Sequence, residues 1–134
     1  MSDNVFTYGT LQLASVMQAV TGKSFSSRPA ILSEYQRYLI KNRIYPAIVP
    51  DKQASTKGTL YFNVDTESLV ALDEFEDVLY DRKLVSVQCD GDVIKAFAYV
   101  LNLKYVTKLD DYDWSLEEFS RQHLDYYLKR IEEL

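Results

Sequence analysis

The hydrophobic pattern along the chain changes period several times, and each change marks an element. Asn4-Val5-Phe6-Thr7-Tyr8 is β-branched and aromatic and stops at Gly9, which predicts a strand ending in a turn. Leu11, Leu13, Ala14, Val16, Met17 and Val20 then recur at mixed helical spacings before Gly22, the pattern of a short helix with a C-terminal stop. Arg28–Asn42 and Tyr45–Val49 read as extended, because Pro46 and Pro50 disfavour helix in the residues before them. Lys57–Val64 is a further strand. Asp65 and Thr66 are good N-cap types, and Leu69, Leu72 and Glu76 follow on one helical face, which predicts a helix over about 66–76. Lys83–Cys89 alternates, Val93–Leu103 is mostly apolar, and Asp90-Gly91-Asp92 between them is a hairpin turn. Ser115-Leu116-Glu117-Glu118 is a capping box opening a last helix towards Leu134, with Leu116, Phe119, His123, Tyr127 and Ile131 as its apolar stripe.

Strands and helices in this order show no regular βαβ alternation, no internal repeat and no linker. The expectation is one α+β domain over residues 1–134, with a small, mixed, strongly curved sheet that closes partly on itself and leaves a cavity at its mouth. At 134 residues the chain fits one ordinary core. Its net charge of −5 is the wrong sign for phosphate backbones or anionic lipid, so nucleic-acid and membrane partners are not expected. Residues 108–134 carry −4 of that charge, as a solvated helix face would, and the rest of the chain is nearly neutral. The start of the chain lacks the basic region and apolar run of a signal peptide, and a single cysteine, Cys89, has no partner for a disulfide, so a cytoplasmic protein is expected.

Candidate chemistry is sparse. One histidine and one cysteine form no metal-ligand cluster, the scattered glycines form no nucleotide loop, and no serine sits in a nucleophile elbow, so no metal or cofactor is expected. His123, on the apolar stripe between Phe119 and Tyr127, reads as a packing residue, and Cys89 as a structural one. Eleven tyrosines suit either core packing or a partly polar cavity wall. Glu76 is the most informative side chain. On the predicted helix it shares the buried face with Leu69 and Leu72, where desolvation raises a carboxyl pKa towards the ~6–7 that proton transfer uses. Alternatively it pairs with Arg82, or the helix ends early and leaves it in an exposed loop. Asp73, Glu74 and Asp77 nearby would raise its pKa further if close. Tyr8-Gly9-Thr10-Leu11 is the second feature: a strand that stops at glycine before a helix presents unpaired backbone N–H groups that can hold a carboxylate or phosphate, or merely turns the chain.

Together these features carry a resemblance. Val5-Phe6-Thr7-Tyr8-Gly9-Thr10-Leu11, Tyr45-Pro46-Ala47-Ile48-Val49, Gly58-Thr59-Leu60-Tyr61, and Leu72-Asp73-Glu74-Phe75-Glu76 with Tyr80-Asp81-Arg82 occur in the order of landmarks of the gamma-glutamylcyclotransferase-like family. That family includes gamma-glutamylamine cyclotransferases and the plant avirulence-induced proteins. The resemblance covers residues 4–100 and implies a small mixed barrel that releases 5-oxoproline from a gamma-glutamyl compound, without a cofactor. It implies Glu76 as general acid/base, and the loop Tyr8, Gly9, Thr10, Leu11 as the substrate holder, with Tyr80 and Arg82 in the wall or orienting Glu76. The substrate's α-amine would attack its own γ-carbonyl, with proximity supplying much of the rate. The N–H groups of Gly9, Thr10 and Leu11 would anchor the substrate or stabilise oxyanion charge. Many members have Gly after the glutamate where this chain has Asp77, a second carboxylate that would retune the base or select a cationic leaving group. Two other readings stand beside this one: a non-catalytic small-molecule binding module of the same fold, and the same chemistry used to remove a gamma-glutamyl protecting group from a biosynthetic intermediate. The leaving amine and the oligomeric state are not legible.

Overall fold

The structure, a computed structural model, describes residues 2–132. Five strands, β1 (Ser2–Thr7), β2 (Ser27–Leu39), β3 (Pro46–Asp65), β4 (Tyr80–Cys89) and β5 (Asp92–Leu101), form a closed barrel in the order β1-β3-β2-β4-β5. The ring is mixed, as expected, and it closes fully rather than partly. Neighbours pair antiparallel except at the seam, where β1 meets β5 parallel through Val5 and Phe97. Helices α1 (Ala14–Thr21), α2 (Thr66–Phe75), α3 (Leu116–Gln122) and α4 (Leu124–Glu132) flank it. Among the described residues no helix is long and apolar enough to cross a membrane.

Three expectations need correction. Tyr45–Val49, from Pro46 on, and Lys57–Val64 are parts of one 20-residue strand, β3. Pro50 does not end it, because the register with β2 shifts there: Ser33 faces Ser55 but Tyr35 faces Pro50, and a proline is tolerated at such a bulge. The single C-terminal helix is two, broken at His123, whose backbone leaves the helical region (φ −127°, ψ −17°). Its expected end at Leu134 lies outside the described residues. Finally, α2 stops one residue short of Glu76, which caps it in an extended conformation (φ −69°, ψ 145°).

Alternation along β1 divides the core. Phe6 and Tyr8 point into the barrel with Leu32, Ile48 and Leu60, whereas Val5 faces the helices with Met17, Leu69 and Leu72. Cys89 is buried in the barrel interior. Closure requires β1 to lie tightly on β3, and Gly58 is where the two touch: a Cβ there would come 2.1 Å from the Thr7 carbonyl oxygen and 2.7 Å from the Phe6 ring. A third cluster, Ile40, Ala47, Leu79 and Leu101, closes the end of the barrel where the segment 103–114 returns over β2.

Candidate active site

A cavity of about 180 Å³ opens at the end of β1. Its lining comes mostly from the ends of elements: Thr7 and Tyr8 where β1 stops, Gly9-Thr10-Leu11 from the turn before α1, Tyr45 and Pro46 entering β3, Phe75-Glu76-Asp77 leaving α2, Tyr80 opening β4 and Tyr99 near the end of β5, with Tyr127 added from within α4. Six of the seven residues read from sequence as a site, Tyr8, Gly9, Thr10, Leu11, Glu76 and Tyr80, therefore line one cavity. Arg82 does not line this cavity. It lies on the exposed side of β4, its Nε 3.2 Å from Asp73 Oδ1 and its guanidinium 4.5 Å from the Phe97 ring centroid, beside a shallow depression on the outer side of Glu76.

Local chemistry explains how Glu76 comes to face the cavity. Asp65 caps α2 by accepting the Ser68 N–H, Leu69 and Leu72 bury one face, and the Glu76 N–H closes the last turn on the Leu72 carbonyl at 3.0 Å. The chain then turns sharply, and Asp77 holds the turn. Its Oδ1 accepts the Leu79 N–H (3.2 Å) and its Oδ2 accepts the Tyr45 hydroxyl (2.8 Å), with Arg43 Nε at 3.9 Å. Asp73 is also occupied, by the Tyr99 hydroxyl at 2.7 Å and by Arg82. Glu76 differs. Among the described residues no hydrogen bond or ion pair reaches its carboxylate, and Arg82, the partner the sequence offered, is engaged with Asp73. Burial pushes its carboxyl up, and the charges of Asp77 and then Asp73 push it further, from an ordinary 4.5 to about 8.

Opposite lies a set of donors. After β1 the chain makes a short 3-10 turn, Thr10–Gln12, and among the described residues no protein acceptor takes the N–H groups of Gly9, Thr10 or Leu11. Gly9 packs against Pro46, where a Cβ would come within 3.0 Å of the proline ring. The Tyr8 hydroxyl donates to the Tyr99 carbonyl (2.6 Å) and the Tyr80 hydroxyl to the Pro46 carbonyl. Burial and the Glu76 charge keep Tyr8 protonated well above its usual range. Thr10 Oγ1 and Tyr127 Oη share a hydrogen bond of 3.2 Å, which leaves one hydroxyl proton of the pair free. The Tyr127 ring is held edge-on by Phe75 (6.2 Å) and Phe119 (5.2 Å), and burial pushes its hydroxyl up to about 12.

Five of the eleven tyrosines thus line the cavity, and three of them, Tyr45, Tyr99 and Tyr127, are not among the site residues the sequence points to. Tyr127 is visible in the sequence as a member of the last apolar stripe, and Tyr45 as part of Tyr-Pro before a strand. Tyr99 sits inside an apolar run and carries no signal. His123 packs on Phe119, ring centroids 6.2 Å apart, and is not in the cavity wall.

Comparison with known proteins places the chain in a family. A family model described as gamma-glutamyl cyclotransferase, AIG2-like, matches residues 5–120. AIG2-like protein D of Arabidopsis thaliana is 33% identical over 137 residues, covering 97% of this chain and 87% of the relative. AIG2-like protein C of the same plant is 35% identical over 126 residues, covering 90% and 70%. Among solved structures, the solution structure of an Arabidopsis thaliana protein superposes with a TM-score of 0.72 at 27% identity, covering 99% of this chain and 81% of that one. A structure titled gamma-glutamyl cyclotransferase superposes with a TM-score of 0.69 at 15% identity, covering 98% and 87%, a likeness of fold. The chain belongs to the AIG2-like gamma-glutamyl cyclotransferase family.

Proposed function

We propose that this protein cyclises a gamma-glutamyl amine or amino acid, releasing 5-oxoproline and the free amine, with Glu76 as general acid/base. The observation that carries the reading is the pairing of an unpartnered, part-buried carboxyl with three unpaired backbone N–H groups across one small cavity. A gamma-glutamyl group brings the complement of both. Its α-ammonium supplies the positive charge that Glu76 lacks, and its oxygens take the N–H groups. Pairing with the ammonium draws the Glu76 pKa back down from about 8, so substrate binding itself produces the carboxylate that accepts the proton.

The step then balances. Glu76 takes a proton from the attacking nitrogen, the N–C bond of the five-membered lactam forms, and the γ-carbonyl oxygen gains negative charge that the N–H groups of Gly9, Thr10 and Leu11 stabilise. The amide C–N bond breaks as Glu76 returns that proton to the leaving nitrogen, and the second proton of the former ammonium passes from the ring nitrogen through the regenerated Glu76 carboxylate to the departing amine, which leaves as an ammonium. Folding the substrate in a confined, tyrosine-walled space supplies proximity. Asp77, beside the base, raises its proton affinity while holding the turn through Tyr45 and Leu79. Tyr80 completes the wall, and Arg82 acts from outside, restraining Asp73.

The test is incubation with a panel of gamma-glutamyl amines and amino acids, reading 5-oxoproline and the released amine by mass spectrometry. Release from at least one member is expected, and its leaving group identifies the substrate. Ligand-dependent stabilisation with no 5-oxoproline from any member would replace this reading with a binding module.

A further inference from the structure

The segment that follows β5 returns across β2 and is fastened there largely by its backbone. Lys41 N–H bonds Lys108 O (2.8 Å), Asp110 N–H bonds Leu39 O (2.8 Å), Leu39 N–H bonds Tyr112 O (3.0 Å), and the Trp114 indole N–H donates to Ile44 O (2.7 Å). One side chain of β2 does something this fastening does not require. Arg37, with only 17% of its side chain exposed, splits its guanidinium between two targets. Its Nε and Nη2 donate to the two carboxylate oxygens of Asp113 (2.8 and 3.3 Å), and its Nη1 donates to the carbonyl oxygen of Tyr8 (2.7 Å). Asp113 is set in advance, since its Oδ1 also accepts the Trp114 N–H (2.7 Å), and the Trp114 ring lies under the guanidinium at 5.4 Å.

We propose that Arg37 and Asp113 are a positioning pair for the donor loop of the active site: they fix and polarise the Tyr8–Gly9 peptide so that its N–H faces the reacting carbonyl. The reason lies in peptide geometry. The bond is trans and planar, so turning the Tyr8 carbonyl out to Arg37, which does not line the cavity, turns the Gly9 N–H the opposite way, to the side that Gly9 does line. A charged donor on the carbonyl also strengthens the N–H of the same amide as a donor, because hydrogen bonds in series polarise one another. Arginine suits this role because its planar fork serves a carboxylate and a carbonyl at fixed angles, which a lysine does not. The pair touches no substrate. It acts through the loop, so the effect belongs to the charge-developing step more than to binding.

The inference rests on the cyclisation reading for its kinetic arm, and it has a second arm that does not. The variants are Arg37→Ala, Arg37→Lys and Asp113→Asn. In amide NMR spectra each is expected to displace the Gly9 and Thr10 resonances while leaving those of β4 and β5 in place, and guanidinium at a sub-denaturing concentration is expected to restore them in Arg37→Ala. In 5-oxoproline release, kcat is expected to fall about tenfold to a hundredfold with KM changed less than about threefold, a share of what loss of one oxyanion donor costs. Guanidinium should restore part of the kcat of Arg37→Ala, and Arg37→Lys should fall between wild type and alanine. Gly9 and Thr10 resonances that stay in place in folded variants overturn the proposal. So does a loss confined to melting temperature or KM. Should Arg37→Ala not fold, Arg37→Lys and Asp113→Asn carry both readouts. If wild type itself releases no 5-oxoproline, the cyclisation reading fails, and the resonances alone decide whether the pair sets the loop.

Discussion

Replacing Glu76 by Gln removes the cavity's unpartnered carboxyl, raised to about 8, and keeps its shape, so it isolates the energetic consequence of burying that carboxyl. A carboxyl whose pKa rises from 4.5 unfolded to about 8 folded binds more protons in the native state throughout that interval. Its contribution is therefore fully present below about pH 4.5 and is lost as pH rises through about 8. At ~1.4 kcal/mol per pKa unit, wild type should lose about 4 kcal/mol relative to Glu76→Gln between pH 5 and pH 9. The depressed pKa of Asp65, held down by Ser68 and Lys23, lies far below that window, and the raised hydroxyls of Tyr45, Tyr61 and Tyr127 lie at about 12, above it. Urea unfolding of both proteins at pH 5, 7 and 9 measures the difference directly. Glu76→Gln should be the more stable protein at pH 9, with the two curves converging towards pH 5. Profiles that run parallel within about 1 kcal/mol would refute the burial of an unpartnered carboxyl, because the linkage relation leaves no other route for a shift of this size to stay silent.

The same geometry fixes three further outcomes. Asp77→Asn keeps the turn's acceptor for Leu79 and removes a like charge, so the acidic limb of kcat/KM should move to lower pH; an unmoved limb would remove Asp77 from the tuning of the base. Tyr127→Phe keeps the ring contacts with Phe75 and Phe119 and loses the hydroxyl, so kcat/KM should drop up to about tenfold with the melting temperature nearly unchanged, as expected for one hydrogen bond to substrate. Unchanged kinetics would make Tyr127 a packing residue. Gly58→Ala drives a methyl into the Thr7 carbonyl and should cost about 1–3 kcal/mol or more in urea unfolding, since backbone must move apart where the barrel closes; a neutral effect would contradict the close approach of β1 and β3.

What the sequence disclosed was local. The stop of β1 at Gly9, the Asp65 cap of α2 and the Asp90-Gly91 hairpin each depend on residues a few positions apart, and each stands in the structure. What it hid depends on distance along the chain. Tyr45–Val49 and Lys57–Val64 read as separate extended segments until the register with β2 places Pro50 at a bulge within one strand. The break at His123 follows no Gly or Pro and serves to lay α4 against α1 and α2, a contact no periodicity records. Glu76 is the most instructive case. Helical spacing pointed to its burial on an apolar face, yet it is off the helix, and the cavity around it comes from Tyr8, Tyr45, Tyr99 and Tyr127, contributed by four separate elements or their approaches. The residue was legible and the reason was not, because the tyrosine hydroxyls that occupy its acidic neighbours reach from as far as 32 residues away.

The role assigned to Glu76 is met head-on by turnover of Glu76→Gln beside wild type, at saturating substrate, with folding checked by melting temperature. General acid–base catalysis of this kind is worth about a hundredfold to ten-thousandfold. Wild type is expected to release 5-oxoproline, and Glu76→Gln, folded, to lose at least a hundredfold in kcat. A folded Glu76→Gln that turns over at the wild-type rate would contradict the assignment.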